Sequence, residues 1–259
     1  MMRKALSLLS VFSLVFLAGC FEIEQSINLQ KDLSGTADFH LGVDLEPMVV
    51  VMAQFGREME GKTGPMTAEE LAKAKAEFKK SAKKSESKPP SRADIQKELP
   101  EGVTLLDFST KERDFGMASD FKFGFEKLSQ LVGVKLPQKE GGQPTDKNVI
   151  DSPFEGLELS EKGDTITIRS KPQNPAETVK EEAGEGGPKL DAATEKLVKD
   201  AFAKMRVVYR ITAPFTVVSH NATRREGNTL IWEYNMETFE KMAASKKLDD
   251  TQLRVTYKR

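Results

Sequence analysis

The amino-acid sequence predicts an α+β fold, with a mainly antiparallel sheet built from hairpins and with helices packed on one face. Stretches in which apolar and polar residues alternate are joined in pairs by short turn-forming segments, as in antiparallel hairpins. Between these pairs, apolar residues recur at the three- and four-residue spacing of helices. Runs of hairpins interrupted by helices are typical of α+β proteins.

The first 19 residues have the composition of a secretory signal peptide. Arg3 and Lys4 form a basic start, and the apolar run after them is shorter than the roughly 20 residues that a membrane-spanning helix needs. The run ends in Leu-Ala-Gly-Cys at positions 17–20, which resembles the lipobox of bacterial lipoproteins. This resemblance implies that the thiol of Cys20 receives diacylglycerol and that the chain is cleaved before Cys20. It also implies that the new amine carries a fatty acid such as palmitate.

The residue after the cysteine bears on which membrane holds the anchor. In lipoproteins of diderm bacteria, aspartate at this position implies retention in the inner membrane, whereas this chain has Phe21. We therefore expect a lipid-anchored protein of the cell envelope, in the outer membrane if the organism is diderm. Two or three acyl chains form a lasting anchor, because each buried CH₂ contributes about 0.8 kcal/mol.

The composition excludes several classes of function. The 40 acidic and 39 basic side chains nearly cancel, so no bulk field attracts nucleic acid. Cys20 is the only cysteine, and once its thiol carries lipid, neither a disulfide nor thiolate chemistry remains. No later apolar stretch approaches spanning length, so we expect residues 20–259 to form a single α+β domain on the lipid tether.

Three hairpins are predicted from alternation. The first joins Phe21–Leu29 to Thr36–Val43, and we expect Gly35 to supply a positive φ in its turn. Further strands are predicted at 103–109 with 117–125, at 156–161 with 165–170, and at 206–212, 215–219, 229–234 and 253–257.

Helices are predicted where the apolar spacing lengthens. Residues 45–59 present methionines at helical spacing, and Thr67 with Glu70 forms a capping box before a lysine-rich helix. Shorter helices are predicted at 92–99, around 128–131, at 191–205 and at 236–244. Segments near 85–91, 138–148 and 171–189 are rich in Pro, Gly and charge, so we expect flexible loops there.

The two ends of the mature chain carry a second resemblance. Residues 27–35 read Ile-Asn-Leu-Gln-Lys-Asp-Leu-Ser-Gly, Ala213-Pro214 is followed by Val-Ser-His-Asn-Ala at 218–222, and residues 228–232 read Asn-Thr-Leu-Ile-Trp. These segments resemble the LppM-like domain of bacterial envelope lipoproteins, although Phe215 stands where that family has glycine. The resemblance covers about the first twenty-five mature residues and the last fifty. It implies an envelope-anchored domain that contacts lipids or envelope partners, and it carries over no catalytic residue.

The sequence contains no recognisable catalytic motif. His40 and His220 are far apart and are expected to be ordinary surface histidines, and no cluster has the close spacing of metal ligands. Nucleophile elbows, phosphate loops and zincin helices are absent from the sequence. We therefore expect a non-enzymatic protein with no cofactor and no metal.

Candidate ligand-binding residues are apolar, and each has a second interpretation as core. The methionine-rich helix presents an adaptable face, and two phenylalanines of one strand share a side with each other. The only tryptophan lies mid-strand, where its indole faces either the core or an open apolar pocket. The candidates are Met48, Met52, Phe55, Phe121, Phe123 and Trp232. Separately, Lys79, Lys80, Lys83 and Lys84 either meet anionic headgroups or form a solvated helix end.

From these residues we expect a membrane-anchored envelope lipoprotein that binds an apolar or lipid ligand or an envelope protein partner. The alternative is a structural or assembly factor of the envelope that has no small-molecule ligand. Neither interpretation involves nucleic acid.

Overall fold

The larger of two sheets has seven strands, in the order β3-β4-β2-β1-β7-β10-β9. In the computed structural model, the residues described are 20–62, 64–84, 91–136, 153–171, 192–238, 241 and 252–259. The strands of this sheet are β1 (Cys20–Leu29), β2 (Gly35–Asp44), β3 (Val103–Arg113), β4 (Gly116–Phe125), β7 (Arg206–Thr212), β9 (Arg224–Glu226) and β10 (Thr229–Asn235). Neighbours pair antiparallel except β1 and β7, which run parallel with Glu22 opposite Arg206.

The smaller sheet has four antiparallel strands, in the order β5-β6-β11-β8. They are β5 (Leu157–Lys162), β6 (Thr165–Ser170), β8 (Thr216–His220) and β11 (Arg254–Lys258). Consecutive strands β7 and β8 belong to different sheets, and Pro214 lies in the three residues between them. Proline has no N–H to donate to a ladder, so it suits a connection better than a strand interior.

Five helices lie within the described residues, and part of a sixth is described at 236–238 and 241. They are α1 (Glu46–Met59), α2 (Ala68–Lys84), α3 (Arg92–Glu98), α4 (Leu128–Leu131) and α5 (Ala192–Phe202). Helix α1 contacts both α2 and α5, whereas α3 contacts β3, and α4 contacts β4 and β5. The predicted capping box at Thr67 is present, since Glu70 N–H donates to the Thr67 hydroxyl at 3.2 Å.

The core is made by the inward-facing residues of both sheets. In β1 and β2 the odd-numbered side chains face the core, as the alternation predicted; they are buried at 25–29 and 35–39 and half-buried at 21, 23, 41 and 43, and Ile27 lies opposite Ala37. The same cluster takes Ile168 and Val255 from the smaller sheet, and the short helices add Ile95, Leu128 and Leu131. The α+β, mainly antiparallel fold class is therefore confirmed. The structure adds a division into two sheets and one parallel pair, which alternation alone does not specify.

The turn between β1 and β2 has a different geometry from the predicted one. Positive φ occurs at Leu33 (67°), not at Gly35. Glycine is needed at 35 for another reason, because a Cβ there would overlap the carbonyl oxygen of Asn28 across the hairpin. The turn is held by Asp32, whose carboxylate accepts hydrogen bonds from the Ser34 hydroxyl at 2.7 Å and its N–H at 3.1 Å. These bonds lower the pKa of Asp32.

Several predicted segments lie wholly or partly outside the described residues. The signal peptide 1–19 and the loop 138–148 are outside them, as are 85–91 and 171–189 apart from the end residues Ser91 and Lys171. Of the predicted helix 236–244, residues 236–238 and 241 are described and are helical.

Candidate functional site

The predicted lipid anchor is the first residue of β1. Cys20 pairs with Asp44 at the end of β2, and Asp44 pairs in turn with Gly116 at the start of β4. Arg113 closes β3 at the same level, opposite Gly116. Because β7 runs parallel to β1, it also begins here, with Arg206 opposite Glu22. We call this edge of the larger sheet the Cys20 end.

Two candidate ligand residues, Phe121 and Phe123, lie inside the core. Phe123 is fully buried, and its ring centroid is 6.1 Å from that of Phe121 in a stacked arrangement. Phe121 also meets Phe39 at 6.0 Å and Phe108 at 5.0 Å, and Phe154 meets Phe123 edge-on at 6.1 Å. Aromatic pairs at these separations stabilise a core beyond the area that they bury.

Trp232 lies in the same core cluster and is only 1% exposed. Its indole N–H donates to the Asn221 side-chain oxygen at 2.8 Å, which also accepts from the backbone N–H of Arg254 at 2.9 Å. The Asn221 amide donates to the carbonyl of Gln252 at 2.6 Å. Asn221 therefore links β10, in the larger sheet, to β11 in the smaller one.

The methionine-rich face belongs to a different part of the fold. Met48 is buried in α1, whereas Met52 and Phe55 are half-buried, and α1 contacts α2 and α5. Met48 is not a member of the core cluster that contains Phe121, Phe123 and Trp232. The structure therefore divides the six candidates into two groups of three rather than placing them around one pocket.

A buried tyrosine that the sequence did not single out lies in the inter-sheet core. Tyr257 is fully buried on β11, and its ring centroid is 6.2 Å from that of Phe215. Its hydroxyl has no hydrogen-bond partner among the described residues. Burial raises the pKa of Tyr257, so the hydroxyl stays protonated and can donate a hydrogen bond. The sequence predicted a strand at 253–257, but a single sequence does not reveal an unused donor.

The outward face of the larger sheet carries a network of charges. Arg206 contacts Glu24 and also bonds Glu233 at 3.1 Å, while Arg210 bonds Glu24 at 2.7 Å. Burial alone would raise the pKa of Glu24, but the hydrogen bonds and charges of Arg210 and Arg206 outweigh it and the pKa is lowered. This network is not recognisable in the sequence because its members come from three strands that only β-pairing brings together.

A shallow groove of about 290 Å³ lies beside this network. His40 Nδ1 is 2.6 Å from Asp120 Oδ1 in the groove wall, and the His40 side chain is 26% exposed. His220, by contrast, lies on the exposed part of β8, where its Nδ1 accepts from the backbone N–H of Ala222 at 3.1 Å.

Two further observations concern only the part of the chain that the structure describes. It holds no group of three or more His, Cys, Asp or Glu side chains arranged to bind a metal ion. None of its helices combines the length and apolar character required to cross a bilayer.

Comparison with known proteins finds similarity to solved structures, at the level of the fold. No protein-family model matches the chain, and no curated protein matches it significantly. The fold is similar to the NMR structure of the folded domain of LppM from Mycobacterium tuberculosis, with a TM-score of 0.42 and 10% sequence identity. The alignment covers 92% of this chain and 88% of that chain.

Proposed function

We propose that this protein is a non-enzymatic envelope lipoprotein, anchored through acyl chains on Cys20, whose domain binds an apolar or lipid ligand. The observation that carries the anchor is the place of Cys20 in both sequence and fold. The lipobox-like segment ends at Cys20, and the same residue is paired in the sheet as the first residue of β1. Cleavage before this cysteine would leave the folded domain intact and directly attached to its lipid.

Acylation is tested by labelling cells with a radioactive fatty acid and isolating the protein. The natural chain should carry label and match the mass of a chain that begins at an acylated Cys20. Cys20→Ala should carry none and accumulate as the uncleaved precursor. Label that persists in Cys20→Ala would contradict the anchor.

The inter-sheet core supports an apolar ligand with at least one hydrogen-bond acceptor. Its buried side chains are aromatic and aliphatic, and Tyr257 offers a hydroxyl that has no partner in the described residues. An unmade hydrogen bond inside a protein costs about 1–3 kcal/mol, so an acceptor on a ligand would remove that cost. A fatty acyl ester combines such an acceptor with an apolar chain.

Native mass spectrometry of the detergent-extracted protein tests this ligand. A bound lipid that survives purification is expected, and Tyr257→Phe should retain less of it because the donor is lost while the ring remains. Thr256→Ser is the matched control, since it changes a half-buried neighbour on the opposite side of β11. A natural protein that carries its covalent acyl chains but no non-covalently bound lipid would contradict this part of the proposal and leave the anchor standing.

The charged outer face favours a second candidate, a protein partner in the envelope. Its arginines and carboxylates hold each other in fixed positions, as in the pairs of Arg206 with Glu233 and Arg210 with Glu24. Such fixed charges give register and specificity to an interface. Cross-linking in native membranes, compared between the natural chain and Arg210→Glu, tests this candidate by the loss of a specific adduct.

A further inference from the structure

Helix α2 lies across the Cys20 end of the larger sheet. Lys75 Nζ is 2.5 Å from Glu46 Oε1 at the start of α1, two residues after the end of β2. One turn further along α2, Lys79 Nζ is 2.9 Å from Asp114 Oδ2 in the β3–β4 turn. Since both acidic partners stand at the Cys20 end, the helix between these two lysines runs along that end.

Aromatic contacts fix the helix in this place. The rings of Phe78 and Phe115 stack with their centroids 6.2 Å apart, and Lys79 Nζ lies 4.6 Å from the centroid of the Phe115 ring. Phe115 O also accepts a hydrogen bond from the backbone N–H of Leu45 at 2.7 Å. The turn, α1 and α2 are thus joined into one surface at the level of Cys20.

This surface is rich in positive charge. Residues 73–84 contain six lysines and one glutamate, Glu77, which lies between Lys73 and Lys80 on the exposed side of the helix. Glu46 and Asp114 face this segment, and each is paired with one of its lysines. The six lysines of residues 73–84 outnumber Glu77 and these two partners by three.

Exposed apolar area adjoins these lysines. Met117, the second residue of β4, is 38% exposed, and Phe115 is half-buried. Met117 is aligned with Val43 and, through it, with Phe21, which are both half-buried. Lysines beside exposed apolar side chains are the combination found on surfaces that rest in the headgroup region of a bilayer.

We propose that the basic half of α2 and the β3–β4 turn rest on anionic lipid headgroups of the membrane that holds the acyl chains. This inference rests on the proposed anchoring at Cys20. Gly116 is two strands away from Cys20 in the sheet, which places the turn about 10 Å to the side of the anchor at the same height. Because β1 begins at Cys20 without a spacer, the lysines are held within reach of the headgroups.

The test measures the distance of two sites from the lipid in the acylated protein. The thiol of Cys20 is consumed by lipid, so a cysteine introduced by Glu112→Cys or Lys31→Cys is the only one free to carry a fluorophore. Glu112 is exposed near the Cys20 end, and Lys31 is exposed in the turn at the opposite end of β1. Both proteins are reconstituted in vesicles with headgroup spin labels, either with phosphatidylglycerol or with phosphatidylcholine alone.

We expect strong quenching at position 112 and weak quenching at 31 in phosphatidylglycerol vesicles, with the difference reduced in phosphatidylcholine. Adding Lys73→Gln and Lys80→Gln should lower the ratio of protein with α2 on the headgroups to protein with α2 off them by roughly 30-fold. Each lysine contributes about 1 kcal/mol near an anionic surface, and the two together correspond to this factor. The same charge change at Lys31 and Lys127, exposed at the far end of the sheet, should leave quenching at 112 unaltered.

Two outcomes overturn the inference in different ways. Equal quenching at 112 and 31, or quenching at 112 that ignores both phosphatidylglycerol and the Lys73/Lys80 change, rejects the headgroup contact alone. A purified protein whose mass shows no acyl chains rejects the anchor, and the inference with it.

Discussion

Replacing Trp232 by alanine should cost the domain a large part of its stability. The indole is 1% exposed, and truncating a buried tryptophan or phenylalanine to alanine typically costs about 3–5 kcal/mol. Domains of this kind are stable by about 5–15 kcal/mol, and Cys20, the only cysteine, leaves no disulfide to compensate. We therefore expect Trp232→Ala to unfold at markedly lower denaturant concentration.

Part of this cost belongs to the hydrogen bond with Asn221. Trp232→Phe keeps most of the ring and removes the N–H donor, so we expect it to cost less than the alanine change. Asn221→Ala leaves two donors without their acceptor, the Trp232 indole and the Arg254 N–H, at about 1–3 kcal/mol. Trp232 and Asn221 share one hydrogen bond. The double variant Trp232→Phe/Asn221→Ala should therefore lose about 0.5–1.5 kcal/mol less stability than the sum of the two single variants.

Urea unfolding of the protein in detergent, followed by far-ultraviolet circular dichroism, measures these values. The control is Val218→Ala, which truncates a side chain that is 61% exposed and should change stability by less than about 0.5 kcal/mol. In the natural protein the indole should also resist quenching by iodide. A Trp232→Ala protein as stable as the Val218→Ala control, or a freely quenched indole, would refute the argument.

Other substitutions test separate parts of the structure. Gly35→Ala should strongly destabilise the fold, because its Cβ would overlap the Asn28 carbonyl oxygen. Gly56→Ala in α1, where a Cβ meets nothing, should instead stabilise the fold by up to about 1 kcal/mol. Thermal unfolding compares the two variants. The pKa of Glu24 is lowered in the folded state, so its contribution is present above the ordinary value of 4.5 and is lost as the pH falls through the lower, folded value. Glu24→Gln should therefore weaken the fold at neutral pH and flatten the acid limb of a stability–pH curve. In protein stripped of lipid, Tyr257→Phe should unfold at the same or higher urea concentration, because it removes a buried hydroxyl that has no described partner.

Local alternation predicted the hairpins closely, and it failed where strands are polar. The first hairpin was placed at 21–29 and 36–43, within one residue of β1 and β2. The end of β3, from Thr110 to Arg113, was missed because four consecutive polar residues show no inward face. For the same reason β9, which reads Arg-Arg-Glu, was not predicted.

Pairing between distant segments lies beyond a single sequence. The parallel alignment of β1 with β7 joins Glu22 to Arg206 across 184 residues, and no local pattern encodes it. The charged network on the outer face depends on that alignment, so it could not be predicted either. The motif at Cys20 and the shared face of Phe121 and Phe123 are local properties, as is the side of the strand on which Trp232 lies. These features could therefore be predicted from the sequence alone.

The central position of β1 constrains the order in which the chain can fold. One neighbour, β2, follows after five residues, but the other, β7, follows only after most of the chain. Until β7 has been made, the N-terminal hairpin therefore presents an unpaired strand edge, which invites association with other chains. For the lipid-anchored chain proposed above, we expect a chaperone, or immediate retention at the membrane, to protect this edge until residue 212 is available.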